Sequence, residues 1–346
     1  MNLRISPLLN VSILMGLGKG FSVFYFVLLP VFYAEKIITA QEIGIIGAIF
    51  IALVIVGALV VARWLHSLET KKLLQLSSLI AIFSSCILLI GVTHNNVNNL
   101  IISYSIMGLA SGTAMSAINA LSAQVTKRGD RYKSLAKVSI SMDIVRIVFP
   151  VIVSGAILLG NSSTAIFFII IAALVLFFLS SILSTEQTAE SQNMPKITES
   201  ISSNKNFLYV LSIEFFDSFS SSQLFVFLPL IFLAKGYSLQ SSLLLQSFIF
   251  LGYIAGRWLV SVLAKRYSGM KAVSLAEIGM VFTIIFLLMI HNILLLYLLT
   301  FILGIFVRGT SPAIKALAFD TLAEGQMKKG SAIHVVAGDS GSVVRI

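Results

Sequence analysis

The stretch FYFVLLPVFYAEKIITAQ (residues 24–41) recurs in the second half of the chain as LFVFLPLIFLAKGYSLQ (residues 224–240). A proline, a lysine and a glutamine align at an offset of 199: Pro30 with Pro229, Lys36 with Lys235 and Gln41 with Gln240. Two further matches keep the same order, SAINAL (116–121) with PAIKAL (312–317) at an offset of 196 and VRI (145–147) with VRI (344–346) at 199. Three ordered matches at nearly one offset predict an internal repeat.

The composition identifies the class of protein. Hydrophobic residues make up 58% of the chain, charged residues only 11%, and the mean hydropathy is +0.99. Because soluble domains carry about 25% charged residues, the chain is predicted to be a polytopic membrane protein. A single cysteine, Cys86, excludes a disulfide or cysteine–metal framework within the chain. The first apolar stretch lacks a small-residue cleavage site and is therefore predicted to be a first span, not a signal peptide.

Apolar stretches of about 20 residues, enough to cross a bilayer, divide the chain into two halves around a polar linker. We predict six spans in residues 1–183, a linker over 184–205, and a second helix bundle over 206–346. Ten spans are complete and an eleventh begins near Ser331. The predicted spans are 8–33, 42–62, 73–93, 98–124, 138–159, 163–183, 206–233, 242–263, 272–290 and 293–319.

The basic residues orient these spans. Of the 24 lysines and arginines, 16 lie in alternate loops and at the N-terminus, whereas the opposite loops contain only Lys36 and Lys235. By the positive-inside rule, the N-terminus and the linker are cytoplasmic. The net charge of +10 is thus explained by topology, and no nucleic-acid partner is expected. We expect a monomer in a cell membrane, a bacterial inner membrane in the first instance.

The repeat and two loop motifs indicate a family. The chain resembles the major facilitator superfamily (MFS) of transporters, whose loop signature between spans 2 and 3, and between 8 and 9, is roughly G-x-L-x-D-R-x-G-x-R-R. Here the copies are GALVVARWLHSLETKK (57–72) and SVLAKRYSGMK (261–271), with Ala62 and Lys265 in place of the acid. The segment GSAIHVVAGDSGSVV (330–344) is similar to the start of the family's span 11. The resemblance implies an all-α fold of two pseudo-symmetric six-helix bundles.

The repeat also makes a prediction about the length of the chain. Ile346 aligns with Ile147, and the first half continues to about Leu183. A complete second half would therefore extend roughly 36 residues beyond Ile346. We accordingly expect a C-terminally truncated chain, with the second bundle incomplete.

Charged residues within the spans are candidate site residues, because a charge is tolerated in a bilayer only when it faces water or another charge. The resemblance implies that spans 1, 4, 7 and 10 line a central cavity. We expect substrate-binding residues that attract an anionic or zwitterionic group, and one carboxylate that binds the coupling proton. The former are Lys19, Arg308, Lys315 and Asn119, and the latter is Glu214 or Asp217. The alternative for Lys19 is a purely structural ion pair with Asp217 or Glu214, and that for Asn119 is a helix–helix hydrogen bond.

Four further charged residues are expected either to gate the transport pathway or to stabilise the helix bundle. Asp143 and Arg146 have the three-residue spacing of a helical ion pair, with a gating or substrate role as the alternative. Arg266 and Asp320 could form a latch at the cytoplasmic side. The four histidines lack metal-ligand spacing, and no phosphate loop or nucleophile–base pair is evident, so we expect no metal, no cofactor and no enzyme activity.

Three functions are compatible with these features. The first is secondary active transport of a small organic solute by alternating access, as proton-coupled export of a drug, metabolite or metal chelator. The second is proton-coupled uptake of a small organic anion, which a surplus of cavity cations favours. The third is a non-transporting relic or sensor derived from a transporter.

Overall fold

The computed structural model describes residues 7–65, 68–125, 131–159, 162–181, 204–221, 224–267, 269–307, 309–322 and 326–343. Within these ranges all the regular elements are helices, and a five-residue π-helix, Val61–Leu65, extends the second of them. The helices are α1 Pro7–Ala34, α2 Ala40–Val60, α3 Thr70–Thr93, α4 Val97–Val125, α5 Arg131–Leu159, α6 Ser162–Ser181, α7 Lys205–Ser221, α8 Leu224–Ala234, α9 Leu239–Arg266, α10 Gly269–Met289, α11 Ile293–Val307, α12 Ser311–Asp320 and α13 Met327–Val343.

Nine helical segments of the described ranges are long and apolar enough to cross a membrane. They correspond to predicted spans 1–6 and 8–10, the last being α11 and α12 together. The predicted seventh span consists of α7 and α8, on either side of residues 222–223, which lie outside the described part of the chain. The predicted eleventh span corresponds to α13. The all-helical membrane fold predicted from the sequence is therefore confirmed.

The distribution of polarity is that of a protein surrounded by lipid. Large apolar side chains lie on the outer surface, among them Phe178, Met289 and Leu294, which are 64%, 70% and 73% exposed. Ionic side chains lie inside, where Asp143 and Arg257 are 0% and 1% exposed. In lipid an apolar exterior is favourable, and a buried charge is stable only beside a partner of opposite charge. The buried charged residues are therefore the candidates for a functional site.

The repeat predicted from the sequence reappears in local structure. Thr39 caps α2 by accepting a hydrogen bond from the backbone N–H of Glu42, and Ser238, at an offset of 199, caps α9 by accepting one from Ser241. These hydroxyls satisfy backbone donors that the first helical turn leaves open. The two caps lie within the quoted repeat, near its end, so the matched sequences start equivalent helices.

A second pair of equivalent contacts joins helices by their backbones. A Cβ atom on Gly108 of α4 would overlap the carbonyl oxygen of Phe50 in α2, and one on Gly304 of α11 would overlap that of Ile249 in α9. Gly108 and Gly304 are related by the 196 offset, and Phe50 and Ile249 by the 199 offset. Small residues allow such close approach, which is a principal source of helix association in lipid.

The helices before and after the predicted linker are called here the N-terminal and the C-terminal group, and two sets of contacts between them are the most extensive. In the N-terminal group, α1–α6, the helices α2 and α3 pack on α4, and α1 packs on α5. In the C-terminal group, α7–α13, α9 packs on α11, and α13 packs on α7. Between the groups, α5 packs on α9, and α13 packs on α2 and α4. The helices α5, α4 and α13 of these contacts also line the cavity described next.

Candidate functional site

A cavity of about 100 Å³ lies between the two groups of helices. The helices α1, α4 and α5 line it from the N-terminal group, and α7, α12 and α13 from the C-terminal group. Its charged lining residues are Lys19, Arg146, Glu214, Lys315 and Asp339. A cavity shared by both groups and lined by ionic groups is the arrangement expected of a substrate site that opens to either side.

Lys19 and Lys315 are the two lysines of this cavity. Lys19 belongs to α1 and is partly exposed, whereas Lys315 belongs to the short helix α12. The ammonium of Lys315 donates a hydrogen bond to the side-chain oxygen of Asn119 in α4. Asn119 and Lys315 are equivalent positions of the repeat, at an offset of 196. The two halves of the repeat therefore touch each other through the same position.

Glu214 provides the acidic side of the cavity. Its side chain, from α7, is 7% exposed, and its Oε2 atom lies 3.7 Å from Nε2 of His334 in α13. A Cβ on Gly338 would lie 2.9 Å from Oε1 of Glu214, so the carboxyl group packs closely against α13 at this glycine. Glu214 also interacts electrostatically with Lys315. A proton on Glu214 would therefore change the charge that both His334 and Lys315 experience.

A buried ionic cluster lies beside the cavity, at the contact between α5 and α9. Asp143 accepts hydrogen bonds at Oδ1 from Arg146, at 3.1 Å, and from Arg257, at 3.0 Å, while Nε of Arg257 lies 2.8 Å from Oδ2. Arg257 thus approaches both carboxylate oxygens, with a hydrogen bond to Oδ1 and an ion-pair contact at Oδ2. Since Arg257 belongs to the C-terminal group, this carboxylate connects the two groups.

Arg146 extends from that cluster into the cavity lining. Its guanidinium carbon lies 5.8 Å from the ring centre of Phe250 and 5.7 Å from that of Tyr253, both in α9. Within about 6 Å a ring face stabilises a cation. The hydroxyl of Ser247 adds a contact between the same helices by donating to the carbonyl oxygen of Ile147 at 3.3 Å. The cation is thus held in place at the contact between the two groups.

The structure separates the two carboxylates proposed to carry the proton. Glu214 lines the cavity, whereas Asp217 is not part of the lining. The Oδ1 atom of Asp217 accepts a hydrogen bond of 2.7 Å from the hydroxyl of Thr310. Thr310 lies between α11 and α12, where Pro312 occupies the first turn of α12 and needs no backbone N–H there. Asp217 therefore contacts the break in the predicted tenth span.

The other residues predicted from the sequence are Arg308, Arg266, Asp320 and the pair of Asp143 and Arg146. Arg308 lies outside the described residues, so its substrate role stays a prediction. The guanidinium carbon of Arg266 lies 5.5 Å from the ring centre of Tyr267 on the exposed end of α9, and Asp320 ends α12. The latch between them also stays a prediction. The helical pair of Asp143 and Arg146 is present, but the same carboxylate is bound more closely by Arg257.

Three residues of this region were not assigned a role from the sequence. Arg257 pairs with a residue 114 positions away, a relation that no local spacing reveals. His334 has no metal-ligand spacing in the sequence, but it is 5% exposed in the third turn of α13. Asp339 lines the cavity from the same helix. The one sequence feature that could have indicated a role for His334 and Asp339 is that both lie, five residues apart, on the predicted eleventh span.

Within the described ranges, no group of three or more His, Cys, Asp or Glu side chains is placed to hold a metal ion. The lining consists of side chains suited to ionic and hydrogen-bonding contacts with an organic solute. Most of the lining side chains are polar or charged, and they converge from six helices.

Comparisons with known proteins agree with this architecture. A search of curated proteins gave no match. Among solved structures, the chain is similar to the MFS transporter FucP of E. coli in its outward conformation, with a TM-score of 0.72 and 14% identity, over 99% of this chain and 90% of FucP. It is also similar to a bacterial homologue of the iron transporter ferroportin in an outward-facing state, with a TM-score of 0.69 and 11% identity, over 98% and 90% of the two chains. At these identities the likeness concerns the fold.

A sequence model of one protein family matches nearly the whole chain. The model of the Major Facilitator Superfamily matches residues 8–344, which include every lining residue of the cavity. The protein is accordingly a multi-pass membrane transporter and not an enzyme. The chain belongs to the major facilitator superfamily.

Proposed function

We propose that the protein carries a small organic anion together with a proton, and that both bind in the cavity between the two groups of helices. The observation that carries the proposal is the composition of that cavity, in which three cations face a protonatable carboxylate. Its described lining holds Lys19, Arg146 and Lys315 against Glu214 and Asp339. The opposite charges of Asp143 and Arg257, which lie beside the cavity, cancel each other. The five charged lining residues therefore give the cavity a formal charge of +1 when His334 is neutral.

The sign of the coupling follows from that arrangement. A proton on Glu214 removes a negative charge from the cavity, which makes the binding of an anion more favourable. By linkage the bound anion favours the proton to the same extent, so the two ligands travel together. The titratable and charged groups that surround Glu214 and influence its protonation come from four helices. They are His334 and Asp339 on α13, Lys315 on α12, Lys19 on α1 and Arg146 on α5.

Symport also suits the energetics of anion uptake. An interior-negative membrane potential opposes an entering anion by about 2.3 kcal/mol per charge and 100 mV. A proton that enters with the anion cancels that charge. FucP, which shares the fold at 14% identity, is described as a fucose:proton symporter, so this fold is compatible with proton coupling.

The volume of the cavity limits the size of the transported molecule. At about 100 Å³ it is smaller than the 300–1,000 Å³ that drug-sized ligands usually occupy. A metabolite with few heavy atoms fits this volume better than a drug or a metal chelator does. The alternating-access motion would then be a rocking of two bundles, residues 1–183 and 206–346, joined by the linker 184–205, about the contacts that α5 makes with α9 and α13 with α2.

Proton-driven export is the second candidate, favoured by the two acids of the cavity. Glu214 and Asp339 could bind a cationic cargo in competition with protons. Competition gives antiport, in which an entering proton expels the cargo. The two candidates therefore predict opposite directions of proton movement for cargoes of opposite charge.

Glu214→Gln is expected to uncouple transport. In liposomes that contain the purified protein and a pH-sensitive dye, an inward gradient of small organic sulfonates, which stay ionised, should acidify the lumen. The variant should lower this substrate-driven proton influx by about tenfold or more, because a neutral amide can neither bind nor release the proton. Exchange of labelled sulfonate at equal concentrations on both sides should persist.

The matched control is Glu35→Gln, which changes an exposed acid in the loop after α1. It should retain the proton influx of the unmodified protein. Proton movement driven by choline and not by sulfonates would refute symport and support the export candidate. Unchanged coupling in Glu214→Gln would remove Glu214 from the mechanism.

A further inference from the structure

We infer that Lys315 couples the binding of cargo to the opening of the protein on the side of the linker, through its hydrogen bond to Asn119. The inference rests on the proposed binding of an anion in the cavity. It adds the step by which that anion would separate the two groups of helices. It comes from a contact that joins the groups directly and whose two side chains both line the cavity.

This contact lies on the side of the cavity that faces the linker. Asn119 lies in the last two turns of α4, which ends at Val125, and Lys315 in the second half of α12, which ends at Asp320. Because successive spans alternate in direction, these two helix ends lie on the same side as the start of α7, which follows the linker. This is the side predicted to be cytoplasmic.

An apolar cluster lies next to this contact, closer to the helix ends on the side of the linker. Its members include Leu135 near the start of α5, Phe207 near the start of α7, and Ile314 and Phe319 of α12, all 0% or 1% exposed. Ile314 precedes Lys315 in the sequence, so the cluster and the cavity meet at this lysine. Leu135 comes from the N-terminal group and the others from the C-terminal group. Opening on this side must therefore separate the apolar cluster as well as the hydrogen-bonded pair.

The chemistry of the pair makes it sensitive to an anion. An ammonium can donate three hydrogen bonds, and within the described residues that of Lys315 donates one, to the neutral amide oxygen of Asn119. A carboxylate or sulfonate has a full negative charge, which attracts an ammonium more strongly than an amide dipole does, above all in a low-dielectric interior. An anion in the cavity therefore competes with Asn119 for Lys315 and weakens the polar contact between the two groups.

The symmetry of the repeat places this competition where it has the largest effect. Asn119 and Lys315 are equivalent positions, at an offset of 196. A contact between equivalent positions lies at the axis that relates the two halves of the repeat, and rocking that opens the side of the linker separates the halves there. Lys315 thus belongs both to the anion site and to a contact that such an opening must break.

The test is the distance between two spin labels on the side of the linker, measured by pulsed electron paramagnetic resonance on the full chain in liposomes. In a Cys86→Ser background, Lys72→Cys and Lys271→Cys place the labels at exposed positions in the first turns of α3 and α10. The two positions are equivalent, at an offset of 199. We expect a small organic sulfonate, the probe used for transport, to shift the distribution from shorter to longer distances.

Two variants separate the contact from its response to the anion. Asn119→Ala should raise the ratio of long to short distances about tenfold without sulfonate, the effect of losing one hydrogen bond to a charged group. Lys315→Gln keeps a donor for Asn119 but no charge, so sulfonate should no longer shift the distribution. The matched control is Asn98→Ala, which changes an exposed asparagine at the opposite end of α4 and should behave as the unmodified protein does.

Three results would overturn this inference alone. One is sulfonate that drives proton influx but leaves the distances in the unmodified protein unchanged, a result that needs no variant to fold and leaves the anion–proton proposal standing. Another is a distribution in Asn119→Ala that equals that in Asn98→Ala. The third is a full response of Lys315→Gln to sulfonate. Choline that drives proton movement and lengthens the distances, where sulfonate does neither, would contradict both proposals.

Discussion

Replacement of Asp143 by alanine is expected to destabilise the protein more than any other single loss of charge in the described helices. The carboxylate is 0% exposed and binds Arg146 and Arg257 at once. Removing one partner of a buried ion pair costs about 3–5 kcal/mol, because the charge left behind stays desolvated. Here two guanidiniums would be left, one from each group of helices. We expect a much lower thermal midpoint in detergent and little transport.

A matched acid on the surface provides the control. Glu69 lies 3.7 Å from Lys72, and their side chains are 38% and 63% exposed. Exposed pairs of this kind contribute about 0–1 kcal/mol, so Glu69→Ala should leave the midpoint nearly unchanged. Equal midpoints for Asp143→Ala and Glu69→Ala would contradict the importance of the cluster.

A double variant separates lost charge balance from lost packing. Asp143→Leu combined with Arg257→Leu removes one charge of each sign from the contact between α5 and α9. Since replacing a whole buried pair by apolar residues is often neutral, the double variant should be more stable than Asp143→Leu alone. Stability that falls further in the double variant would show that Arg257 contributes independently of Asp143.

Gly304→Ala is expected to be the second severe change. Its Cβ would overlap the backbone oxygen of Ile249, and a helix backbone cannot move aside as a flexible side chain can. Separating α9 from α11 also loses the close packing that holds helices together in lipid. The overpacking should outweigh the gain of about 1 kcal/mol that alanine brings to a helix. Yield of folded protein by size-exclusion chromatography is the measurement.

The matched control is Gly155→Ala in α5, where a Cβ would meet no atom within 4 Å. It should be neutral or slightly stabilising, in keeping with alanine's higher helix propensity. Gly108→Ala, the equivalent position of the repeat, should behave like Gly304→Ala. A normal yield for Gly304→Ala would show that α9 and α11 are not packed as closely as described.

Much of the architecture could be predicted because it depends on local or repeated signals. Hydrophobic length predicts the spans, and the 199 offset predicts equivalent helix starts, which the caps at Thr39 and Ser238 show. The 196 offset predicts that Asn119 and Lys315 are equivalent. It could not predict their hydrogen bond, which requires both helices to face one axis between the groups.

The charge partners could not be predicted, because they depend on how helices rotate against one another. Glu214 and Asp217 are three residues apart and roughly share a face, but a rotation of about 60° separates them. That rotation places Glu214 at the cavity and Asp217 at Thr310. The pairing of Asp143 with Arg257 likewise depends on the packing of α5 on α9, so the local spacing indicated only Arg146.

The central claim is that the space between the two groups of helices is an aqueous substrate chamber. It is tested most directly by thiol accessibility in sealed membranes, since the chain has one cysteine, Cys86, on an exposed side of α3. In a Cys86→Ser background, Ser139→Cys and Ser311→Cys introduce one thiol from each side of the cavity. We predict that both react with a water-soluble methanethiosulfonate, that a small organic sulfonate slows both reactions, and that Cys86 in the unmodified chain does not react. Cavity thiols as unreactive as Cys86 would contradict the account.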